Sequence, residues 1–289
     1  MLISTKWEES IRTDYERSKI PMRSKEAEYD YHGRLGFGID IDSQIVVPTG
    51  LLKREPLLLK FAKESGDAEN ITDFDRLRIP FRAVATNIRD GEAVVLKSGS
   101  LAKAMYASSA IPGGLQPINI EGADLVDGGV SLNIPIEVAK EMGADVVIAV
   151  DVSENFAKEL NVNSYFVVMG QLVDILMRKN ADDSLALLGE RDIRITPDLN
   201  GYGGLDTHRY KQIIQKGEEA AGKMIAKLFL LSLPKEEYAR YLADRVVAKQ
   251  KSEKFIDKIE LLNHTTLNDQ TILGHMLTKE GSLFSHAKI

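Results

Sequence analysis

The sequence predicts an α/β fold, a mainly parallel sheet with helices on both faces, followed by a partial C-terminal α+β module. Three observations lead to this prediction. Short apolar runs alternate with segments of helical periodicity as far as about residue 231. Residues 146–150 are all apolar and mostly β-branched, which is typical of a strand buried on both faces. After Lys254 the pattern changes to one alternating run, a turn-rich stretch and one helical segment.

The individual elements follow from the periodicity of apolar residues along the chain. The predicted helices cover residues 7–25, 55–65, 101–109, 136–142, 165–176, 208–231 and 269–277. The predicted strands cover residues 81–87, 93–96, 124–126, 146–150, 193–196 and 255–261. The long helix near residue 165 carries an apolar stripe at i, i+3, i+4 and i+7 spacing, formed by Tyr165, Val168, Met169, Leu172, Ile175 and Leu176.

Turn and cap residues fix several of these boundaries. Asp90-Gly91 predicts a hairpin between two strands. Ser100 is suited to cap a helix that ends before Pro112-Gly113-Gly114. Pro135 suits the first turn of the next helix, and Gly143 its end.

Composition excludes several classes of function. The 289 residues are enough for one large domain or two small ones. A net charge of -6 argues against nucleic acid as the main partner. With no cysteine, disulfides and thiolate metal sites are excluded. The most apolar stretch, residues 224–233, contains Lys227 and is too short to span a bilayer.

The candidate site is Asp127-Gly128-Gly129, placed directly after a short predicted strand. A carboxylate can act as a general base when partial burial raises its pKa and geometry holds it near a hydroxyl group. The two glycines leave room for another backbone or a substrate chain to approach. The alternative is an ordinary Asp-Gly turn with a structural role.

The surrounding motifs resemble the patatin-like phospholipase family over residues 1–230, and specifically so between residues 70 and 153. The motifs that carry the resemblance occur in one order: Phe81-Arg82-Ala83-Val84-Ala85-Thr86, Ser98-Gly99, Leu101-Ala102-Lys103-Ala104, Ala107-Ser108-Ser109-Ala110-Ile111-Pro112-Gly113, Leu125-Val126-Asp127-Gly128-Gly129-Val130, Asn133-Ile134-Pro135 and Gly143-Ala144-Asp145. The resemblance implies hydrolysis of lipid acyl esters by a Ser-Asp dyad with Asp127 as general base. It implies a lipid or phospholipid acyl ester as substrate, peripheral contact with a membrane, no cofactor, no metal and no nucleic acid.

Two parts of the family pattern do not occur in the sequence. No serine lies in G-x-S-x-G, and the nearest imitation, Gly129-Val130-Ser131-Leu132-Asn133, has one glycine of the two. Gly33, Gly36 and Gly38 could imitate the oxyanion loop, but no helix start follows them, so a hairpin is favoured. We therefore expect a truncated domain whose nucleophile region is missing, and no ester hydrolysis by this chain alone. The alternative is a non-catalytic remnant that keeps the fold.

Other polar residues are weaker candidates. Asp151 ends a predicted strand, where the resemblance implies a structural role. Ser108 and Ser109 are expected to allow close helix packing near Asp127. The five histidines show no metal-ligand spacing: His32, His208, His264, His275 and His286.

The C-terminal residues resemble the opening of a POTRA domain, with the strand at 255–261, the turn at 263–268 and the helix at 269–277. The expected organisation is a patatin-like domain over residues 1–247, then a lysine-containing linker at 249–254 and a partial POTRA-like module within residues 248–289. This resemblance implies a parent protein of the bacterial outer membrane, periplasm or cell surface. The alternative is a short helical tail on a cytoplasmic enzyme.

Overall fold

A computed structural model describes residues 38–39, 45–46, 50–52, 54–153, 165–203, 207–246, 255–261, 268–275 and 279–282. Three predictions lie outside these residues, namely the helix at 7–25, the linker at 249–254 and most of the turn at 263–268.

Ten strands and eight α-helices occur in the described ranges. The strands are β1 (Gly38–Ile39), β2 (Ile45–Val46), β3 (Gly50–Leu52), β4 (Ala83–Asn87), β5 (Ala93–Leu96), β6 (Gly113–Leu115), β7 (Ile118–Ile120), β8 (Ala123–Asp127), β9 (Ile148–Val150) and β10 (Ile193–Ile195). The helices are α1 (Arg54–Ser65), α2 (Leu101–Ser108), α3 (Ile136–Glu141), α4 (Tyr165–Leu185), α5 (Tyr210–Lys223), α6 (Ile225–Phe229), α7 (Lys235–Val246) and α8 (Asp269–His275).

The largest sheet has four strands in the order β5-β4-β8-β7, and all three of its pairings are antiparallel. The Asp90-Gly91 turn joins β4 to β5, which confirms the predicted hairpin. A mixed α/β architecture is therefore present, but a mainly parallel sheet is not confirmed for the described residues. Short loops explain the antiparallel pairing of β4 with β5 and of β7 with β8, because a hairpin forces antiparallel pairing whereas a parallel pair needs a long crossover.

Parallel pairing occurs in two small sheets. β3 pairs with β6, and β9 pairs with β10. The prediction that residues 146–150 form a strand buried on both faces is wrong. Ile148 is 46% exposed and Val150 50%, whereas Ala149 between them is buried. β9 therefore has one covered face, and the apolar composition of the run did not distinguish the two arrangements.

Near the N-terminal end of the described residues, β1 and β2 form an antiparallel pair. This pairing agrees with the hairpin favoured at Gly38, whereas Gly33 and Gly36 lie outside the described residues.

Helix α2 packs against the four-stranded sheet and forms the main core with it. Ser100 caps α2 by accepting a hydrogen bond from the Lys103 N–H (3.2 Å), which confirms the predicted cap. Tyr106 is fully buried on α2, and its hydroxyl donates to the carbonyl of Gln116 (2.8 Å). Burial raises the pKa of Tyr106 to about 12, so the phenol stays neutral. The hydrogen bond from Tyr106 to Gln116 ties α2 to the chain that follows it, so the chain is held both before and after residue 110.

Helix α4 confirms the predicted long helix but not the burial of its apolar stripe. Met169, Leu172, Ile175 and Leu176 are all exposed. The buried residues of α4 lie near its C-terminal end and include Ala181, Ser184 and Leu185. Helical periodicity identified the element correctly, but the N-terminal part of its apolar face remains accessible.

The C-terminal residues show the predicted helix, as α8, but residues 255–261 do not form a regular strand. Backbone hydrogen bonds join Ile256 to Gly281 (2.7 Å) and to Ser282 (3.0 Å), so the chain returns to Ile256 after the helix. Among the helices in the described ranges, none has the length and apolar character needed to cross a membrane.

Candidate active site

Asp127 is the last residue of β8, and its backbone is fixed from three directions. It lies opposite Ala85 of β4 in the antiparallel register. Its N–H donates to the carbonyl of Ala110 (3.0 Å), and its carbonyl accepts from the Thr86 hydroxyl (2.8 Å). The position of the carboxylate is therefore set by the sheet and by Ala110, which lies two residues beyond the end of α2.

The Asp127 side chain is 9% exposed and its Oδ1 accepts a hydrogen bond from the Gly129 N–H (2.8 Å). In the part of the chain that the structure describes, no group donates to Oδ2. Burial raises the pKa of the Asp127 carboxyl above its ordinary value, while the hydrogen bond from Gly129 acts in the lowering direction. A carboxylate with a raised pKa and one oxygen fixed is a stronger and better oriented proton acceptor than an exposed one.

Gly128 and Gly129 permit close contacts that a side chain would prevent. A Cβ atom at Gly128 would lie 2.2 Å from the carbonyl oxygen of Val84 on β4. A Cβ atom at Gly129 would lie 2.4 Å from the Cε of Met177 on α4. The two glycines thus allow the turn after Asp127 to fit between β4 and α4, which is the close approach that the sequence predicted.

Helix α4 holds this turn through Asn180 and Met177, which the sequence analysis did not identify. The Asn180 amide donates to the carbonyls of Val130 (2.6 Å) and Gly129 (3.3 Å). The Asn133 amide donates to the carbonyl of Met177 (3.1 Å). One signal was present in the sequence, because asparagine is disfavoured in a helix interior and its presence there asks for a specific partner.

The nearby hydroxyl groups are engaged elsewhere. The Ser131 Oγ lies 2.8 Å from the Thr86 Oγ1, at hydrogen-bond distance. The Ser109 hydroxyl donates to carbonyls of the preceding helical turn, those of Met105 (3.0 Å) and Tyr106 (3.1 Å). Among the described residues, no serine hydroxyl makes a hydrogen bond to the Asp127 carboxylate. Within the described residues, the Asp127 carboxylate therefore has no serine hydroxyl bonded to it.

Asp151 has surroundings of a different kind. It is 1% exposed, and its Oδ2 accepts from the Arg194 guanidinium (2.6 Å), with Arg178 3.7 Å away. Burial alone would raise the pKa of Asp151, but the hydrogen bonds from Ser153 and Arg194 and the charge of Arg178 together lower it. A carboxylate held ionised between two arginines joins β9, β10 and α4, which agrees with the structural role expected for it.

A groove of about 220 Å³ lies on the α4 side of the turn and is lined by Ile111, Asn133, Ile134, Val152, Ser153, Asp174, Met177 and Arg178. It shares Asn133 and Met177 with the support of the Asp127 turn. Burial raises the pKa of the Asp174 carboxyl. Ile134 has a φ of 54°, an unfavourable conformation for a β-branched residue, and such strain is often found at functional sites.

Residues 42–140 match the model of the patatin-like phospholipase family, and this range contains Asp127-Gly128-Gly129. The chain is 38% identical over 79 residues to an uncharacterised NTE family protein of Mycobacterium tuberculosis, which covers 27% of this chain and 22% of that protein. It is 37% identical over 86 residues to patatin-like phospholipase domain-containing protein 7 of Mus musculus, covering 29% of this chain and 6% of that protein. The similarity to lysophospholipase nte1 of Aspergillus fumigatus is longer, 25% identity over 217 residues, covering 66% of this chain and 14% of that protein.

These matches support homology to patatin-like phospholipases. The family match covers about a third of the chain. The matched stretch spans about a fifth of the length of the mycobacterial relative and less of the other two.

Proposed function

We propose that Asp127 is the general base of a Ser-Asp dyad that hydrolyses acyl esters of lipids. The observation that carries the proposal is the buried Asp127 carboxylate, with Oδ1 fixed by Gly129 and no donor to Oδ2 among the described residues. The match of residues 42–140 to the patatin-like phospholipase family supports a lipid ester as the substrate. The names of two relatives, a lysophospholipase and a phospholipase domain protein, point to the same class of substrate.

In the proposed reaction, a serine hydroxyl attacks the carbonyl carbon of the ester and transfers its proton to Asp127. Backbone N–H groups stabilise the tetrahedral oxyanion. The proton then passes to the departing alcohol, which leaves an acyl-serine. Water attacks this ester with the same carboxylate as base, and the fatty acid and the free serine are formed. The raised pKa of Asp127 makes it a better acceptor for the protons of the serine and of the water.

The serine is proposed to come from a segment that is not in this sequence, because no G-x-S-x-G motif occurs in it. On this proposal residues 1–247 belong to the patatin-like domain, and the chain alone has no hydrolase activity. The first test is hydrolysis of p-nitrophenyl esters by the purified chain, which is expected to equal the buffer rate. If turnover is measured and both Asp127→Asn and Ser131→Ala abolish it, Ser131 is the nucleophile and the proposal of an external serine is wrong.

The second test uses a longer protein in which a segment bearing G-x-S-x-G precedes this chain. Hydrolysis is expected there, and Asp127→Asn should lower kcat by about a hundredfold to ten-thousandfold, since the base is removed. Asp145→Asn is the matched control, because Asp145 is an exposed carboxylate of the same motif run and should leave the rate unchanged.

A structural role for Asp127 is the second candidate, and one observation favours it. The hydrogen bond from Gly129 to Oδ1 is also the contact of an ordinary Asx turn. Asp127→Asn separates the catalytic role from the structural role. Its amide oxygen can still accept a hydrogen bond from the Gly129 N–H, whereas the base is lost. An Asp127→Asn enzyme that keeps its activity would assign the residue to the turn alone.

We further propose that residues 248–289 begin a POTRA-like module of a bacterial envelope protein. The return of residues 281–282 to Ile256 after α8 supports a small folded unit at this end of the described residues. The test is the reading frame beyond the codon for Ile289. Continuation into amphipathic strands of about ten residues is expected. A stop codon at that point would favour the cytoplasmic alternative.

A further inference from the structure

The segment from Lys223 to Leu233 combines a packed inner face with an exposed apolar outer face. Met224 and Leu228 pack against the buried cluster of Ile193, Ile195 and Ala220. On the outer side Ile225 is 64% exposed, Phe229 73% and Leu230 83%. Phe229 and Leu230 are the two most exposed large apolar side chains in the described residues.

Ile225 and Phe229 lie four residues apart on α6 and so share one face, which Leu230, Leu231 and Leu233 continue. We name these five residues the apolar tip. Because its inner neighbours anchor the segment to β10, the tip is a fixed feature of the surface.

A cavity of about 470 Å³ adjoins the base of the tip. Three cationic side chains line it, those of Arg194, Lys223 and Lys227, together with Thr196 and one carboxylate, Asp192. Asp192 is already engaged, since it accepts from the N–H groups of Val147 (2.8 Å) and Gly189 (2.7 Å) and lies 3.3 Å from the Lys140 ammonium.

Lys223 and Lys227 make no ion pair with any carboxylate in the described ranges, whereas Arg194 is paired with Asp151. The cavity is therefore locally cationic on a chain whose net charge is -6. Cations beside an apolar wall suit a ligand with a phosphate group next to hydrocarbon.

We infer that Lys223–Leu233 docks on an anionic phospholipid surface, with a lipid phosphate in the Arg194-Lys223-Lys227 cavity and the apolar tip among the acyl chains. This inference rests on the lipid-directed function proposed above. Charge complementarity favours a membrane over a second copy of the chain. A twofold contact through the tip would bring the lysines of one copy towards those of the other, and like charges repel.

The test is sedimentation of the full chain with vesicles of diether phosphatidylglycerol and diether phosphatidylcholine. Ether lipids contain no acyl ester, so docking is measured independently of hydrolysis. Binding is expected to require phosphatidylglycerol and to weaken as salt is raised, because screening reduces the attraction. Asp127→Asn should bind as the wild type does, so that failure of the dyad and failure of docking are distinguishable.

Two pairs of variants probe the two parts of the surface. Lys223→Gln/Lys227→Gln should weaken vesicle binding about twenty-fivefold, at about fivefold per lysine. The control is Lys63→Gln/Lys103→Gln, two exposed lysines on α1 and α2, with the same change in net charge. Leu230→Ser should weaken binding about tenfold. Its control is Leu59→Ser, because Leu59 is also largely exposed. Both controls should stay within about twofold of the wild type.

Three results would overturn the inference. The first is equal vesicle binding by the wild type and the lysine variant. The second is binding of inorganic phosphate that the lysine variant loses, with no vesicle binding, which would assign the cavity to a soluble anion. The third is a dimer in light scattering that Leu230→Ser converts to a monomer, again without vesicle binding, which would assign the tip to a second copy.

Discussion

The carbonyl oxygen of Val84 occupies the place where a side chain on Gly128 would begin, since a Cβ atom there would lie 2.2 Å away. Both partners of this contact are main chain, and β4 is fixed by pairing with β5 and β8, so neither can move aside cheaply. Gly128→Ala is expected to destabilise the protein by about 3 kcal/mol. Urea unfolding measures the change. Gly170→Ala on α4 is the control, because no atom lies within 4 Å of its Cβ position and alanine should stabilise the helix slightly. A Gly128→Ala protein as stable as the wild type would contradict the packing described.

Gly129→Ala meets a softer obstacle, the terminal methyl group of Met177. We expect a loss of about 1 kcal/mol, because a methionine side chain can change rotamer. The combination with Met177→Ala should cost less than the sum of the two single changes, since the shared contact is removed in each. A double-mutant cycle measures this coupling, and strict additivity would show that Met177 is not the obstacle.

Asp127→Asn is expected to raise stability at neutral pH. The folded-state pKa of Asp127 is raised, so the wild type loses stability as pH rises from the unfolded-state pKa, about 3.9, through the folded value. The amide does not ionise, and it keeps the acceptor for Gly129. Unfolding free energies should therefore increasingly favour the variant as pH rises from the unfolded-state pKa to the raised folded-state value. A constant difference across this range would mean that the carboxyl titrates normally.

Asp151→Asn is expected to lower stability at neutral pH, in contrast to Asp127→Asn. Its folded-state pKa is lowered, so its contribution is present above the unfolded-state pKa and is lost as pH falls through the folded value. We expect a loss of about 1.5–3 kcal/mol at neutral pH, the usual contribution of a hydrogen bond to a charged group. The difference from the wild type should shrink in acid. If Asp151→Asn in the longer enzyme gives a stable but inactive protein, Asp151 is the general base and Asp127 has the structural role.

Asn180→Ala removes the hydrogen bonds to the carbonyls of Gly129 and Val130. A cost of about 1–3 kcal/mol is expected because those partly buried acceptors lose their partner. Lys179→Ala, at the exposed neighbouring position, should change the unfolding free energy by less than about 0.5 kcal/mol. In the longer enzyme Asn180→Ala should lower kcat more than it raises KM, since the amide positions the turn and does not contact the ester.

Local signals in the sequence located much of the fold. Ser100 begins α2, Asp90-Gly91 makes the hairpin, and Asp127 ends a strand, as predicted. Each of these depends on residues close together in the chain, where turn chemistry and capping act directly.

Long-range relationships were not predictable in the same way. The exposure of Ile148 and Val150 depends on what packs over β9, and an apolar run is compatible with one covered face or two. The apolar stripe of α4 predicted the helix correctly but did not show which of its residues would be buried. The hydrogen bonds of Asn180 cross about fifty residues of sequence, and a single sequence holds no record of such a contact.

The same separation has a consequence for how the protein is made. Ribosomes add about 5–20 residues per second, so the 50 residues between Val130 and Asn180 take about 3 to 10 s to synthesise. During that interval β4 and β8 can already pair, while the turn after Asp127 lacks the helix that covers it. The carboxylate is therefore placed early by local pairing and secured only when α4 emerges. A ribosome pause within α4 would prolong a state in which the apolar surroundings of Asp127 are open to other chains.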